Sequence, residues 1–159
     1  MTERLQLTVI DRRDLVLGTG AVAALAAILP LSTIAMAEEK VTWKDAMKAV
    51  VGDSKPAEGK VSLDLPEIAE NGNTVPFTVT VDSPMTDGDY VKSVHVYATG
   101  NPRPDVASFF FSPQSGKAEA TTRMRLAQTQ DVVAVAEMSD GKFYMGKRTV
   151  KVTIGGCGG

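Results

Sequence analysis

Val75-Pro76-Phe77-Thr78-Val79-Thr80-Val81 is the stretch on which the fold turns. Val75, Phe77, Val79 and Val81 share one side of a period of two, and Thr74, Thr78 and Thr80 share the other. Successive side chains of a strand point to opposite faces, so this pattern predicts a strand with one apolar and one hydroxyl-bearing face. Pro76 lacks a ladder N–H. The strand is therefore an edge strand, or is unpaired at that point.

Outward from this stretch the same period recurs. Upstream, Val61, Leu63 and Leu65 alternate with polar residues before Pro66, and Asn71-Gly72-Asn73 marks a turn. Downstream, a polar loop from Asp82 to Asp89 leads to a strand from Tyr90 to Ala98, with Val94 and Val96 inward. Gly100-Asn101-Pro102-Arg103-Pro104 turns the chain into a strand from Val106 to Phe111. After the loop from Ser112 to Lys117, Ala118, Ala120, Thr122, Met124 and Leu126 alternate with Glu119, Thr121, Arg123 and Arg125. Val132 to Met138 and Phe143 to Ile154 flank Ser139-Asp140-Gly141-Lys142, a hairpin signal. One helix precedes the strands. Thr42-Trp43-Lys44-Asp45 reads as a capping box with Asp in place of Glu, Trp43, Ala46, Met47, Val50 and Val51 follow at helical spacing, and Gly52 closes the turn.

About seven strands with turns between them and no alternation with helices predict an all-β fold, an immunoglobulin-like antiparallel β-sandwich over residues 38–154 with one short N-terminal helix. The Cys…Trp…Cys hallmark of antibody domains is absent. Phe109-Phe110-Phe111 poses its own question. Alternation buries one face only, so either Phe110 or the Phe109/Phe111 pair points away from the inner core, toward a second small cluster or a subunit interface.

Residues 1–37 read as an export leader outside the fold. Arg12-Arg13 precede an uncharged run from Leu15 to Ala37 that ends Ala35-Met36-Ala37, a small-x-small cleavage pattern. The paired arginines approach the twin-arginine pattern of bacterial export, although Asp11 and Asp14 flank the pair. Pro30, modest apolarity and the cleavage pattern argue for a cleaved leader and against stable membrane insertion. The expected location is the periplasm. The leader carries three acidic and three basic residues, so the remaining 122 residues keep the net charge of −2. That balance gives no nucleic-acid footprint.

Cys157 is the only cysteine of 159 residues, which excludes an internal disulfide and any thiolate zinc cluster. It stands in Gly155-Gly156-Cys157-Gly158-Gly159, the last five residues. Gly155, Gly156, Gly158 and Gly159 predict a flexible, solvated arm that presents one sulfur. An odd cysteine in an oxidising compartment points to intermolecular sulfur chemistry. A blue-copper site needs two histidines with the cysteine, and His95 is the only histidine, so no metal or other cofactor is expected. His95 lies between the inward Val94 and Val96 and faces the opposite surface. A nucleophilic cysteine needs a base fixed beside it, which a glycine tether does not supply. The chain is therefore expected to catalyse nothing alone.

The tail Gly155-Gly156-Cys157-Gly158-Gly159, the twin-arginine-like leader and the β-rich domain together resemble the SoxY family, sulfur carriers of the bacterial thiosulfate-oxidising (Sox) system. Leu65-Pro66-Glu67-Ile68-Ala69-Glu70-Asn71-Gly72 and the following Val75-Pro76 resemble it as well. The resemblance implies that Cys157 holds the sulfur substrate covalently and that the glycines form a swinging arm. It implies a SoxZ-like subunit as heterodimer partner. It also implies three enzymes that act on the arm: a haem-containing c-type cytochrome, a manganese-dependent sulfate-releasing hydrolase and a sulfur dehydrogenase. Two alternatives stay open. A ubiquitin-like carrier would use the Gly158-Gly159 carboxylate as a thiocarboxylate, and an assembly domain would use the thiol for an intermolecular disulfide.

Overall fold

The structure, a computed structural model, describes residues 41–156. The expected leader at 1–37 lies outside the described residues, as do Cys157, Gly158 and Gly159.

The helix α1 spans Trp43–Val51. Thr42 caps it: its side chain accepts from the Asp45 N–H at 3.3 Å, and the Thr42 N–H donates to the Asp45 carboxylate at 3.2 Å. The Asp that replaces Glu in the box therefore satisfies the same orphan donors. Gly52 ends the helix at φ 61°, where its N–H donates to the Lys48 carbonyl at 2.8 Å. The apolar stripe of Trp43, Ala46, Met47, Val50 and Val51 lies on Tyr97, Val133 and Val135 and forms a second core. Burial there, with Asp105 nearby, pushes the Tyr97 phenol up to about 12.

Nine strands follow among the described residues: β1 Ala57–Glu58, β2 Val61–Asp64, β3 Ile68–Asn71, β4 Val75–Val81, β5 Val91–Ala98, β6 Asp105–Phe110, β7 Ala118–Met124, β8 Gln130–Met138 and β9 Phe143–Ile154. The seven expected strands are joined by β1 and β3. Both pair parallel to the long β9, β1 at Tyr144 and Met145 and β3 from Lys151 to Ile154. The larger sheet has the order β1-β9-β8-β5-β6, with β3 added on β9, and the smaller has the order β2-β4-β7. The hairpin between β8 and β9 closes with Gly141 at φ 80° and the Met138 N–H donating to the Lys142 carbonyl.

The main core fills the space between the sheets. Leu63, Val75, Phe77, Val79 and Val81 face Val94, Val96, Val132, Ala134, Ala136 and Val150. The period-two stretch is thus the centre of the smaller sheet. Pro76 is tolerated there because β2 pairs with β4 only from Thr78 to Val81, so at Pro76 the pairing is with Arg123 of β7 alone. Along one side the sheets come close at Gly146, where a Cβ would stand 2.5 Å from the Val61 carbonyl oxygen. The triple phenylalanine resolves by alternation. Phe109 and Phe111 pack on the core, and Phe110 is 77% exposed.

Candidate functional site at the root of the C-terminal tail

The strand β9 delivers the tail. Its last four residues run beside β3 in register, Asn71 opposite Ile154. There β3 stops, because Asn71 turns the chain: its side-chain oxygen accepts from the Asn73 N–H at 2.9 Å. Between them, Gly72 donates its N–H to the Ile154 carbonyl at 2.8 Å and accepts the Leu126 N–H at 2.8 Å. Leu126 in turn accepts the Gly156 N–H on its carbonyl at 2.9 Å. Three chain segments are joined here by backbone hydrogen bonds: the turn after β3, the segment after β7, and the tail.

The junction is too tight for side chains. A Cβ on Gly72 would lie 2.2 Å from the Leu126 oxygen and 2.7 Å from the Gly156 nitrogen. A Cβ on Gly155 would lie 2.1 Å from the Ala127 oxygen, and one on Gly156 would lie 2.8 Å from the Gly72 oxygen. These neighbours are backbone atoms, and the Leu126 oxygen, the Gly72 oxygen and the Gly156 nitrogen are already committed to hydrogen bonds, so those three cannot step aside without breaking them.

The sequence assigns Gly155 and Gly156 to the flexible arm. In the structure Gly156 is buried and hydrogen-bonded, and both glycines serve close approach. They form the arm's root. The expectations for Cys157, Gly158 and Gly159 fall outside the described residues. Sequence reasoning missed Gly72 and Leu126 as part of the site. Gly72 is read there as a turn residue only, and Leu126 as the end of a strand. The β7 ladder instead stops at Met124, because the backbone beyond it pairs with the tail junction.

His95 lies on the outer face of β5, away from this junction in register. Its ring nitrogens bond Ser108 Oγ at 2.9 Å and Ser93 Oγ at 3.2 Å, and its ring meets Phe110 edge-on with centroids 6.1 Å apart. Burial lowers its pKa, against the opposing charges of Glu137 and Asp105. Among the described residues no group of three His, Cys, Asp or Glu could hold a metal ion, and no helix is long and apolar enough to cross a membrane.

Fold and junction together define an immunoglobulin-like β-sandwich whose last strand roots a short C-terminal tail in the sandwich wall. The family model described as "Sulfur oxidation protein SoxY" matches residues 47–157, so the matched stretch ends on Cys157. Among solved structures, the sulfur carrier protein SoxY from Chlorobium limicola f thiosulfatophilum is 38% identical, with a TM-score of 0.59 over 70% of this chain and 96% of that one. A superoxide reductase (neelaredoxin) from Ignicoccus hospitalis is 15% identical, with a TM-score of 0.53 over 59% of this chain and 80% of that one. A putative superoxide reductase from Thermotoga maritima is 17% identical, with a TM-score of 0.51 over 62% and 87%. These two share the fold alone. No curated protein matches. The chain belongs to the SoxY family.

Proposed function

We propose that the chain is a periplasmic sulfur carrier, not itself an enzyme, that holds thiosulfate-derived intermediates covalently on the thiol of Cys157. The observation that carries this reading is the junction: three backbone segments and three glycines hold the chain at Gly156, the residue before the sequence's only cysteine. Family membership and the match ending at Cys157 support it.

The chemistry follows from a single thiol. Joining thiosulfate to Cys157 forms an S–S bond and releases an electron pair, which a haem c-type cytochrome accepts. Water then cleaves the terminal sulfonate as sulfate and leaves a persulfide, the work of a manganese-dependent hydrolase. A sulfur dehydrogenase removes electrons from the remaining sulfane sulfur while water supplies its oxygen atoms. A second hydrolysis restores the thiol. A SoxZ-like subunit completes the carrier. Each step occurs in another protein's active site, so the carrier needs exposure and release more than acid–base machinery. Ordering a glycine on docking costs about 1–2 kcal/mol of backbone entropy, which keeps such docking weak.

The test replaces Cys157. In Cys157→Ser, thiosulfate-dependent electron transfer by the reconstituted system falls to background, while the circular dichroism and association state match the wild type. Turnover that persists in this variant refutes the proposal.

A further inference from the structure

We infer that Asn101 and Gln130 are positioning residues for the tail: they fix the segment after β7 so that the Leu126 carbonyl holds Gly156, and they thereby set where the carrier arm begins. This rests on the carrier function proposed above.

Among the described residues, Asn101 and Gln130 are two of the three buried polar residues, 8% and 7% exposed, and the other buried side chains are almost all apolar. The side-chain amide of Asn101 acts on the segment after β7 as a peptide group of a neighbouring strand would. Its Nδ2 donates to the Arg125 carbonyl at 2.8 Å, and its Oδ1 accepts the Ala127 N–H at 3.0 Å. In an extended chain the C=O of one residue and the N–H two residues on point to the same side, and the groups of the residue between point to the other. Asn101 thus holds residues 125 and 127 from one side. That leaves the N–H and C=O of Leu126 aimed the opposite way, at Gly72 and Gly156.

Gln130 holds Asn101 in turn. Its Nε2 donates to Asn101 Oδ1 at 2.8 Å and to the Gln128 carbonyl at 3.2 Å, and its Oε1 accepts the Gly100 N–H at 2.6 Å. Gly100 permits this approach, since a Cβ there would stand 3.2 Å from Gln130 Cβ and 3.3 Å from Gln130 Oε1. Among the described residues no buried side-chain polar atom lacks a partner, so every polar atom of this pair is engaged, and such a buried network favours one geometry.

The consequence concerns where the arm begins: with Gly156 tied down, the last held residue is the one before Cys157. Freeing Gly155 and Gly156 would add roughly 7 Å of reach at ~3.3–3.6 Å per residue. A partner's active site must therefore come to the end of the sandwich, and the amide pair decides how far the thiol strays from it.

The experiment compares the full chain with Asn101→Ala, Asn101→Asp and Gln130→Glu. Asn101→Asp keeps shape and acceptor but loses the donation to Arg125, and Gln130→Glu keeps the acceptor for Gly100 but loses both donations. Hydrogen exchange at the Gly156 amide and the spectrum of a nitroxide methanethiosulfonate label on Cys157 are the readouts, with exchange of the Val133 and Val135 amides as the measure of the intact core. We expect wild-type Gly156 to exchange at least about tenfold more slowly than the same amide in a free Ile-Gly-Gly-Cys-Gly-Gly peptide. We expect that protection to be lost and the label's spectrum to sharpen in all variants that keep core protection. If Asn101→Ala does not fold, the two near-isosteric variants decide. Gly156 unprotected in the wild type, or equally protected in the folded variants, overturns the inference. Neither readout depends on sulfur loading. A carrier that loads Cys157 with an unprotected Gly156 therefore sinks this inference alone, and a protected Gly156 beside a Cys157 that never loads sinks the carrier function alone.

Discussion

Gly156 and Gly158 flank the same cysteine in the sequence. Sequence alone treats them alike, as sources of flexibility. The structure constrains Gly156. A Cβ at Gly156 stands 2.8 Å from the Gly72 carbonyl oxygen, which already accepts the Leu126 N–H. Gly156→Val is therefore expected to destabilise the domain by about 1–3 kcal/mol in urea unfolding, the usual cost of overpacking. Gly158→Val should leave the urea midpoint unchanged and slow sulfur transfer. Equal midpoints for the two variants would deny the junction its tightness. His95 gives a second prediction at this scale. Burial lowers its folded pKa below the ordinary 6.5, so the unfolded chain takes up the proton first. Its contribution to stability is present above pH 6.5 and is lost as pH falls through the folded value. His95→Gln should flatten stability against pH just below 6.5, and a curve that keeps the wild-type slope there would show that another group titrates.

Among the elements, α1 was legible from sequence because its signals are local. The cap, the box and the closing glycine all lie within Thr42 to Gly52, and Thr42→Ala should lower stability by about 1 kcal/mol, read as a lower thermal midpoint. An unchanged midpoint would mean that packing on Tyr97, Val133 and Val135 alone holds the helix. The long strands were legible for the same reason, since their period of two is carried within each one. The short strands β1 and β3 were not. Two residues in β1 and the pattern of β3, where only Ala69 is buried, carry no periodicity, and both exist because β9 offers them an edge. The end of β7 was misplaced by two residues because Leu126 is apolar and in phase, while its hydrogen bonds go to Gly72 and Gly156. The stretch Leu65 to Gly72, which carried part of the family resemblance, proves to hold β3 and the turn that meets the tail.

At the scale of the whole molecule, the sandwich works as a rigid mount. Phe77 sits at its centre, 2% exposed, with its ring 6.5 Å from that of Phe109 across the core. Phe77→Ala should cost about 3–5 kcal/mol in urea unfolding, and a smaller loss would mean that the two sheets collapse into the space. The candidate site was half legible. The solitary cysteine in a glycine run is visible in one dimension, and the carrier role proposed for it starts from there. Its mount was hidden, because Gly72, Asn101, Leu126 and Gln130 come together only when β3, the β5–β6 turn, the end of β7 and the start of β8 meet. The account stands or falls on what that thiol carries. The direct measurement is the intact mass of the chain, and of its Cys157 peptide, isolated without reductant from cells oxidising thiosulfate. The account predicts added sulfur and sulfonate on Cys157 that dithiothreitol removes; a Cys157 found unmodified throughout turnover, or terminal oxygen replaced by sulfur at Gly159, would contradict it.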